Sequence, residues 1–336
     1  MRDIRIDIMR FIGLLMIILA HINPPGFIFQ FRNFDVPLMV LVSGMSFALS
    51  YRSECYLSYV LKRFRRLVFP VWIFLTFYFA LNYILGWPVQ LPESDVIRDT
   101  YSLVGGIGYV WIIRVFLLVA MIAPLILLLS NRAGSDAGFL TKVLIVYLLY
   151  EFSYFQVSGF LEDGFGIFLK ETICYLIPYS VVFALGLRLQ GFTRTKLYFL
   201  TFFFAAVFLI LSLWHFINQG KFIPTQLFKY PPTAYYLSYA LLVAVLIWLY
   251  SDKLSVLIEH LRIKGFVEFV SSNSIWIYLW HIPFVSLFQT HFLLKYLIVL
   301  GAAIFIASLQ VFLVKQTVAQ IKSPSSRKLI LNIFTG

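Results

Sequence analysis

The chain has 336 residues, of which 61% are hydrophobic and only 12% are charged. Soluble globular proteins contain about 45–50% apolar and about 25% charged residues, so this composition excludes an ordinary soluble fold and predicts an all-α, polytopic bundle of transmembrane helices. The net charge of +12 does not indicate nucleic-acid binding, because the basic residues lie in short segments between apolar runs.

Apolar runs separated by charged residues, proline and glycine predict about ten transmembrane helices. In chain order they lie at residues 6–23, 34–51, 67–87, 103–130, 139–156, 172–190, 197–217, 233–250, 273–290 and 292–314. Because no stretch remains for a globular domain, residues 1–336 are predicted to form a single transmembrane domain. Within it, residues 51–66 are expected to form a basic amphipathic helix on the cytoplasmic face, and residues 315–336 a short cytoplasmic tail.

Lysine and arginine are divided unequally between alternate breaks of this pattern. With the N-terminus in the cytoplasm, most of them fall on the cytoplasmic side, and the other side receives only Arg32, Arg98, Lys170, Lys221, Lys229 and Lys295. Cytoplasmic loops of membrane proteins are enriched in lysine and arginine. The asymmetry therefore predicts that both termini are cytoplasmic.

The first predicted helix carries two ionisable side chains, Arg10 and His21. A charged residue inside a span costs about 2.5–3.5 kcal/mol on insertion scales, so it usually faces protein or a water-filled cavity. Eleven positions make about three helical turns and ~16 Å of rise, which places both side chains on one face at different depths. We expect one groove to contain both. The structural alternatives are an arginine that reaches the inner headgroups and a hydrogen-bonded neutral histidine.

Two later predicted helices also contain buried polar side chains. In the ninth, Ser274, Tyr278 and His281 share one face, and Pro283 predicts a kink beside them; a functional and a structural histidine are both compatible with this pattern. In the fourth, Arg114 needs an acceptor, and a structural ion pair with Glu151 is the simplest one. The histidines and cysteines show no metal-ligand spacing, so no metal is expected.

Several stretches together resemble the membrane acyltransferase-3 family. Arg10, ten intervening residues and His21 match its signature, and Ser274 through Pro283 is similar to its Tyr-Leu-x-His-x-Pro segment. Residues 34–44, ending in Ser-Gly, residues 62–70, a basic loop ending in proline, and residues 230–236 also resemble family segments. The resemblance covers most of the chain.

The resemblance implies transfer of an acyl group, most often from cytoplasmic acetyl-CoA, to a hydroxyl of an extracytoplasmic or lipid-linked carbohydrate. It implies His21 as general base or acyl carrier, with Arg10 holding the donor or stabilising the thioester oxygen. The residues expected to bind substrate or donor are Lys62, Arg63, Arg66, Arg114, Trp111, Ser43, Tyr278, His281 and Tyr235. A cluster of lysine and arginine suits the CoA phosphates, although positive-inside retention explains it equally well.

The expected partners are membrane lipids, the carbohydrate acceptor and other polysaccharide-biosynthesis proteins, in a bacterial inner membrane. A transporter or flippase for a polysaccharide precursor or an acyl group is the alternative function, because buried arginine and histidine also line transport pathways. Transporters commonly contain inverted repeats and paired broken helices, and neither is evident in this sequence.

Overall fold

The computed structural model describes residues 2–86 and 92–335. This part of the chain is 82% helical and contains no strands. Its α-helices are, in order, α1 (Ile4–His21), α2 (Gly26–Phe31), α3 (Asp35–Ser50), α4 (Tyr56–Leu85), α5 (Ser94–Tyr101), α6 (Trp111–Arg132), α7 (Asp136–Val157), α8 (Phe165–Leu189), α9 (Arg194–Gln219), α10 (Ala234–Leu249), α11 (Ser251–His260), α12 (Lys264–Ser272), α13 (Ser274–Leu287), α14 (Phe292–Ala319) and α15 (Pro324–Phe334).

Each of the ten predicted ranges overlaps a helix of the structure, namely α1, α3, α4, α6 to α10, α13 and α14, although α6 begins only at Trp111 and not at residue 103. In the described residues, seven helical segments are long and apolar enough to cross a membrane, and an eighth is reached if α10 and α11, bent by 57°, form one span. The chain is therefore an integral, multi-pass membrane protein. Helix α13 has only 14 residues, and α1 carries three charged residues (Arg5, Asp7 and Arg10). The number of ten spans and the orientation of the termini stay predictions.

The basic segment 51–66 does not form a helix of its own. Helix α4 begins at Tyr56 and continues without a break to Leu85, with Pro70 inside it. The expected boundary rested on the change from charged to apolar residues, and lysine and arginine are good helix formers that do not end a helix. The predicted end of this helix at residue 87 lies outside the described residues. The predicted tail likewise contains the end of α14 and the separate helix α15.

The described chain packs as two compact units. Unit 1 contains the residues up to 13, residues 26–53 and residues 118–257; unit 2 contains residues 14–25, residues 54–117 and the residues from 258 onward. The division falls within α1, α6 and α11, each of which is one continuous helix. The prediction of a single domain is not tested by this division and stays a prediction.

Glycines bring α3 and α8 close together in unit 1. A Cβ atom added to Gly44 would lie 2.2 Å from the carbonyl oxygen of Phe183, and one added to Gly186 would lie 2.2 Å from that of Leu41. Only residues without a side chain allow two helix backbones to approach so closely. Gly44 and Gly186 therefore allow α3 to pack directly against the backbone of α8.

A buried ionic cluster joins α3 to the loop that precedes α10 in unit 1. The carboxylate of Asp35 accepts from Arg32, with Nη1 and Oδ2 2.9 Å apart, and from Lys229, with Nζ and Oδ1 3.0 Å apart. All three side chains are buried. Burial lowers the pKa of the Lys229 ammonium to about 8, although the neighbouring Asp35 carboxylate acts in the opposite direction.

Candidate active site

Two of the predicted site residues, His21 and His281, are in direct contact within unit 2. Nδ1 of His21 lies 2.8 Å from Nε2 of His281, and the two rings stack with centroids 4.9 Å apart and planes 16° apart. His21 is the last residue of α1 and is half-buried, whereas His281 lies in the middle of α13 and is fully buried. The imidazole of His21, at the end of α1, is therefore in contact with the solvent-inaccessible imidazole of His281.

The hydrogen bonds of His281 determine which nitrogen of His21 can act as a base. Nδ1 of His281 contacts the backbone carbonyl oxygen of Tyr278, and a carbonyl oxygen can only accept, so this nitrogen carries the proton. In a neutral imidazole the opposite nitrogen is then an acceptor. Nε2 of His281 therefore accepts from Nδ1–H of His21, which leaves the lone pair of His21 on its own Nε2.

Tyr109 forms an aromatic wall beside the histidine pair. Its ring meets that of His21 edge-on, with centroids 4.8 Å apart and planes 86° apart. The hydroxyl of Tyr278 donates to the backbone carbonyl of Tyr109, and the Tyr278 ring lies 6.2 Å from the His21 ring. The expected place of Tyr278 beside His281 is thus observed, whereas sequence reasoning did not select Tyr109.

The loop that carries Tyr109 depends on glycine. Gly106 and Gly108 adopt positive φ angles of 69° and 78°, and Thr100 Oγ1 accepts from the backbone N–H of Ile107 at 3.1 Å. Arg114 holds the other side of the loop, because its Nη1 donates to the carbonyl oxygen of Val104 at 3.1 Å. The glycines at residues 105–108 are the sequence feature that could have indicated this loop. Tyr109, which follows them directly, could then have been selected as a site residue.

The predicted ion pair between Arg114 and Glu151 would join residues of different units and stays a prediction. Within unit 2, Arg114 donates to the loop, and within unit 1, Glu151 accepts from the hydroxyl of Tyr147 at 2.7 Å and from the backbone N–H of Ala234 at 3.0 Å. The second contact satisfies a donor in the first turn of α10, where four N–H groups lack helical partners.

Gly106→Ala is expected to displace the Tyr109 loop. An added Cβ would lie 1.9 Å from Thr100 Oγ1 in a backbone conformation with positive φ, so we expect a loss of about 1–3 kcal/mol in the free energy of unfolding. Thermal unfolding in detergent micelles measures it. Gly105→Ala is the matched control, because a Cβ there meets nothing within 4 Å. Equal midpoints for the two variants would contradict this role of Gly106.

Arg10 lies in the part of α1 that belongs to unit 1, where it is half-buried. Its Nη2 donates to Ser46 Oγ at 2.7 Å, and its Nη1 lies 3.4 Å from Asp7 Oδ1. Asp7 is buried and also pairs with Arg2. Two guanidinium groups thus share one carboxylate. Sequence reasoning did not select Asp7 or Ser46.

Three predicted donor-binding residues occupy the first turns of α4. Lys62 is exposed and pairs with Glu54, and Arg66 is exposed. Arg63 is half-buried, with its guanidinium 5.2 Å from the centroid of the Tyr59 ring. Since the segment is helical, Arg63 and Arg66 are three positions apart and project from the same side of α4. The arrangement presents positive charge but does not establish a ligand.

The structure brings the other predicted binding residues, Tyr235, Ser43 and Trp111, into no common site among the described residues. Tyr235 is buried in unit 1, where its hydroxyl donates to the Ile223 carbonyl at 2.9 Å and its ring stacks on Phe208 at 5.6 Å. That environment gives Tyr235 a packing role. Ser43 is half-buried in α3, and Trp111 is half-buried at the start of α6.

The chain belongs to the acyltransferase-3 family. A family model described as an acyltransferase domain matches residues 3–314, nearly the whole chain. The match includes α1 with Arg10 and His21, and α13 with His281. No match was found among curated proteins or among solved structures. The helical membrane fold and the family together assign the chain to the integral membrane acyltransferases.

Proposed function

We propose that this acyltransferase moves an acetyl group from cytoplasmic acetyl-CoA to a hydroxyl of an extracytoplasmic or lipid-linked carbohydrate. The contact between His21 and His281 is the observation that carries the proposal. A sugar hydroxyl is a poor nucleophile near neutral pH, and a positioned imidazole that removes its proton contributes typically 10²–10⁴-fold to the rate. With both rings neutral, His21 carries its lone pair on Nε2, and its Nδ1 donates to His281.

In the proposed transfer step, His21 acts as the general base. The acceptor oxygen bonds to the thioester carbonyl carbon while the hydroxyl proton passes to Nε2 of His21. Nδ1–H of His21 remains hydrogen-bonded to His281, which stabilises the imidazolium that forms, as the third member of a catalytic triad does. The tetrahedral intermediate then breaks the C–S bond, and the proton on Nε2 passes to the CoA thiolate, so that His21 returns to its starting state.

Arg10 is proposed to act on the acyl donor from a position ~16 Å along α1 from His21. A guanidinium suits either a phosphate of CoA or the charge that develops on the thioester oxygen. Ser46 and Asp7 orient its guanidinium group. Lys62, Arg63 and Arg66 are proposed to contact the CoA phosphates from the start of α4.

Arg10→Ala is expected to lower kcat/KM for acetyl-CoA about ten- to a hundred-fold. Hydrogen bonds to charged groups contribute about 1.5–3 kcal/mol, which corresponds to this range. Initial rates at varied acetyl-CoA concentration measure the effect. Arg98→Ala is the control, because Arg98 is an exposed arginine paired with Asp95 and Asp99. Kinetics of Arg10→Ala that equal those of the control would remove Arg10 from the donor site.

We propose that both termini are cytoplasmic, in a bacterial inner membrane. The charge asymmetry between alternate loops supports this orientation. Two of the six basic residues assigned to the outer side, Arg32 and Lys229, are buried and share Asp35. They therefore add little to the charge of the outer surface, which strengthens the asymmetry. The proposed partners are membrane lipids, the carbohydrate acceptor and other polysaccharide-biosynthesis proteins.

The proposed function is tested by supplying the purified protein, in liposomes, with radiolabelled acetyl-CoA and surface glycans. Label entering the glycan supports it, and succinyl-CoA in a parallel reaction tests the choice of acyl group. Label that stays on the protein in the absence of acceptor and is released by hydroxylamine would assign His21 the role of acyl carrier instead of base. Transport of a substrate that survives His21→Ala, without labelled glycan, would contradict an enzyme and favour a transporter.

A further inference from the structure

The last described helix, α15, is linked to the helix that carries His281 by a chain of side-chain hydrogen bonds. Nε1 of Trp280 in α13 donates to Oε1 of Gln310 in α14 at 2.7 Å, and Nε2 of Gln310 donates to the Phe334 carbonyl of α15 at 2.7 Å. Trp276 Nε1 donates to the Ile333 carbonyl at 2.9 Å. All of these residues belong to unit 2. Both the oxygen and the nitrogen of the Gln310 amide are thus hydrogen-bonded. Both acceptors on α15 are backbone carbonyls near its C-terminal end.

We propose that Gln310 and α15 position the histidine pair by fixing the rotation of α13 about its axis. Trp276 and Trp280 are four positions apart and lie on the same face of α13. His281 follows Trp280 directly, so its side chain projects ~100° around the helix from the anchored face. A rotation of α13 would carry Nε2 of His281 away from Nδ1 of His21. The role of Gln310 in the reaction rests on the function proposed above.

Helix α13 needs such external support. It has only 14 residues and contains Pro283, which lacks an N–H and so cannot donate to the carbonyl of Leu279. This gap in the helical ladder spans the position of His281. On the anchored side, the Trp280 ring meets Phe74 and Phe77 of α4 edge-on, with centroids 5.5 and 5.7 Å away. The tryptophan face therefore fixes α13 by packing as well as by hydrogen bonds.

Helix α15 lies outside the region that the family model matches, which ends at residue 314. The family match therefore assigns no role to it. The backbone carbonyls of Ile333 and Phe334 in α15 accept hydrogen bonds from α13 and α14. The ring of Phe334 stacks on that of Trp276, with planes 7° apart. Gln310 is consequently a positioning residue, since it acts through Trp280 and contacts neither histidine.

The test compares Gln310→Ala with Gln316→Ala, an exposed glutamine of the same helix. We expect Gln310→Ala to lower kcat about ten- to a hundred-fold, the cost of a small displacement of a catalytic group, with KM for acetyl-CoA unchanged. A loss of folded protein alone would lower the yield of Gln310→Ala but leave kcat per folded molecule unchanged. Trp280→Phe, which keeps the ring and removes the N–H, is the second variant and is expected to give the same split. Wild-type kcat in both Gln310→Ala and Trp280→Phe would overturn the proposal.

A second measurement separates this proposal from the proposed function. Nitrogen NMR of ¹⁵N-histidine-labelled protein reports the hydrogen bond between His21 and His281 whether or not the protein transfers acetyl groups. If the wild type transfers no label, the proposed function fails, and a changed histidine spectrum in Gln310→Ala still supports the positioning role. An unchanged histidine spectrum in Gln310→Ala would overturn the positioning role even in an active enzyme.

Discussion

Replacing His21 with alanine is expected to reduce kcat for acetyl transfer by about 10²–10⁴-fold, the usual contribution of a positioned general base. The reason is specific to this geometry: Nε2 of His21 holds the lone pair, and Nδ1 is committed to His281. Single-turnover transfer of label from acetyl-CoA to glycan, normalised to folded protein, measures the loss. His260→Ala is the control, because His260 is an exposed histidine at the end of α11.

The same geometry predicts that the two histidines act as one group. His281→Gln is expected to reduce kcat, and the double variant with His21→Ala is expected to be no slower than His21→Ala alone, because His281 acts only through His21. If the two losses multiplied, His281 would have a role independent of His21. Wild-type turnover in His21→Ala would remove His21 from the chemistry altogether.

Replacing Asp35 with asparagine is expected to cause the largest loss of stability, about 3–5 kcal/mol in the free energy of unfolding. Asp35 lies between the buried cations Arg32 and Lys229. Removal of one partner from a buried ion pair leaves uncompensated buried charge, which is far more costly than loss of an exposed pair. Denaturant unfolding in detergent micelles measures the change.

Asp95→Asn provides the matched control for Asp35→Asn. Asp95 pairs with Arg98, and the two side chains are 75% and 68% exposed. An exposed ion pair contributes about 0–1 kcal/mol, so this variant is expected to unfold almost as the wild type does. A difference of less than about 1 kcal/mol between the two variants would show that the buried cluster is not a major source of stability.

The sequence predicted the helices well because apolar runs long enough to cross a bilayer are a strong signal. It was less successful where a helix continues through charged residues, as α4 does from Tyr56, because charge alone does not break a helix. Tertiary contacts were not predictable from depth in the pattern. The hydrogen bonds of Arg114 to the Val104 carbonyl and of Glu151 to the Ala234 N–H, for example, follow from no spacing in the sequence.

The candidate site was only partly predictable for a related reason. Arg10, His21 and His281 were found because ionisable side chains are conspicuous in apolar spans. Tyr109 and Gln310 were not found, because Tyr109 lies in a loop, Gln310 carries no charge, and neither belongs to a recognisable spacing. Their roles depend on contacts between residues far apart in the chain, such as His21 with Tyr109 and Trp280 with Gln310.

The proposed chemistry requires the reactive lone pair to lie on Nε2 of His21, because Nδ1 of His21 donates to His281. Nitrogen NMR of ¹⁵N-histidine-labelled protein in lipid nanodiscs, assigned with His21→Ala and His281→Gln, measures the protonation of each ring nitrogen directly. At a pH where both rings are neutral, we expect protons on Nδ1 of both histidines and an unprotonated Nε2 on His21. A His21 ring that is protonated on Nε2 and bare on Nδ1 would contradict it.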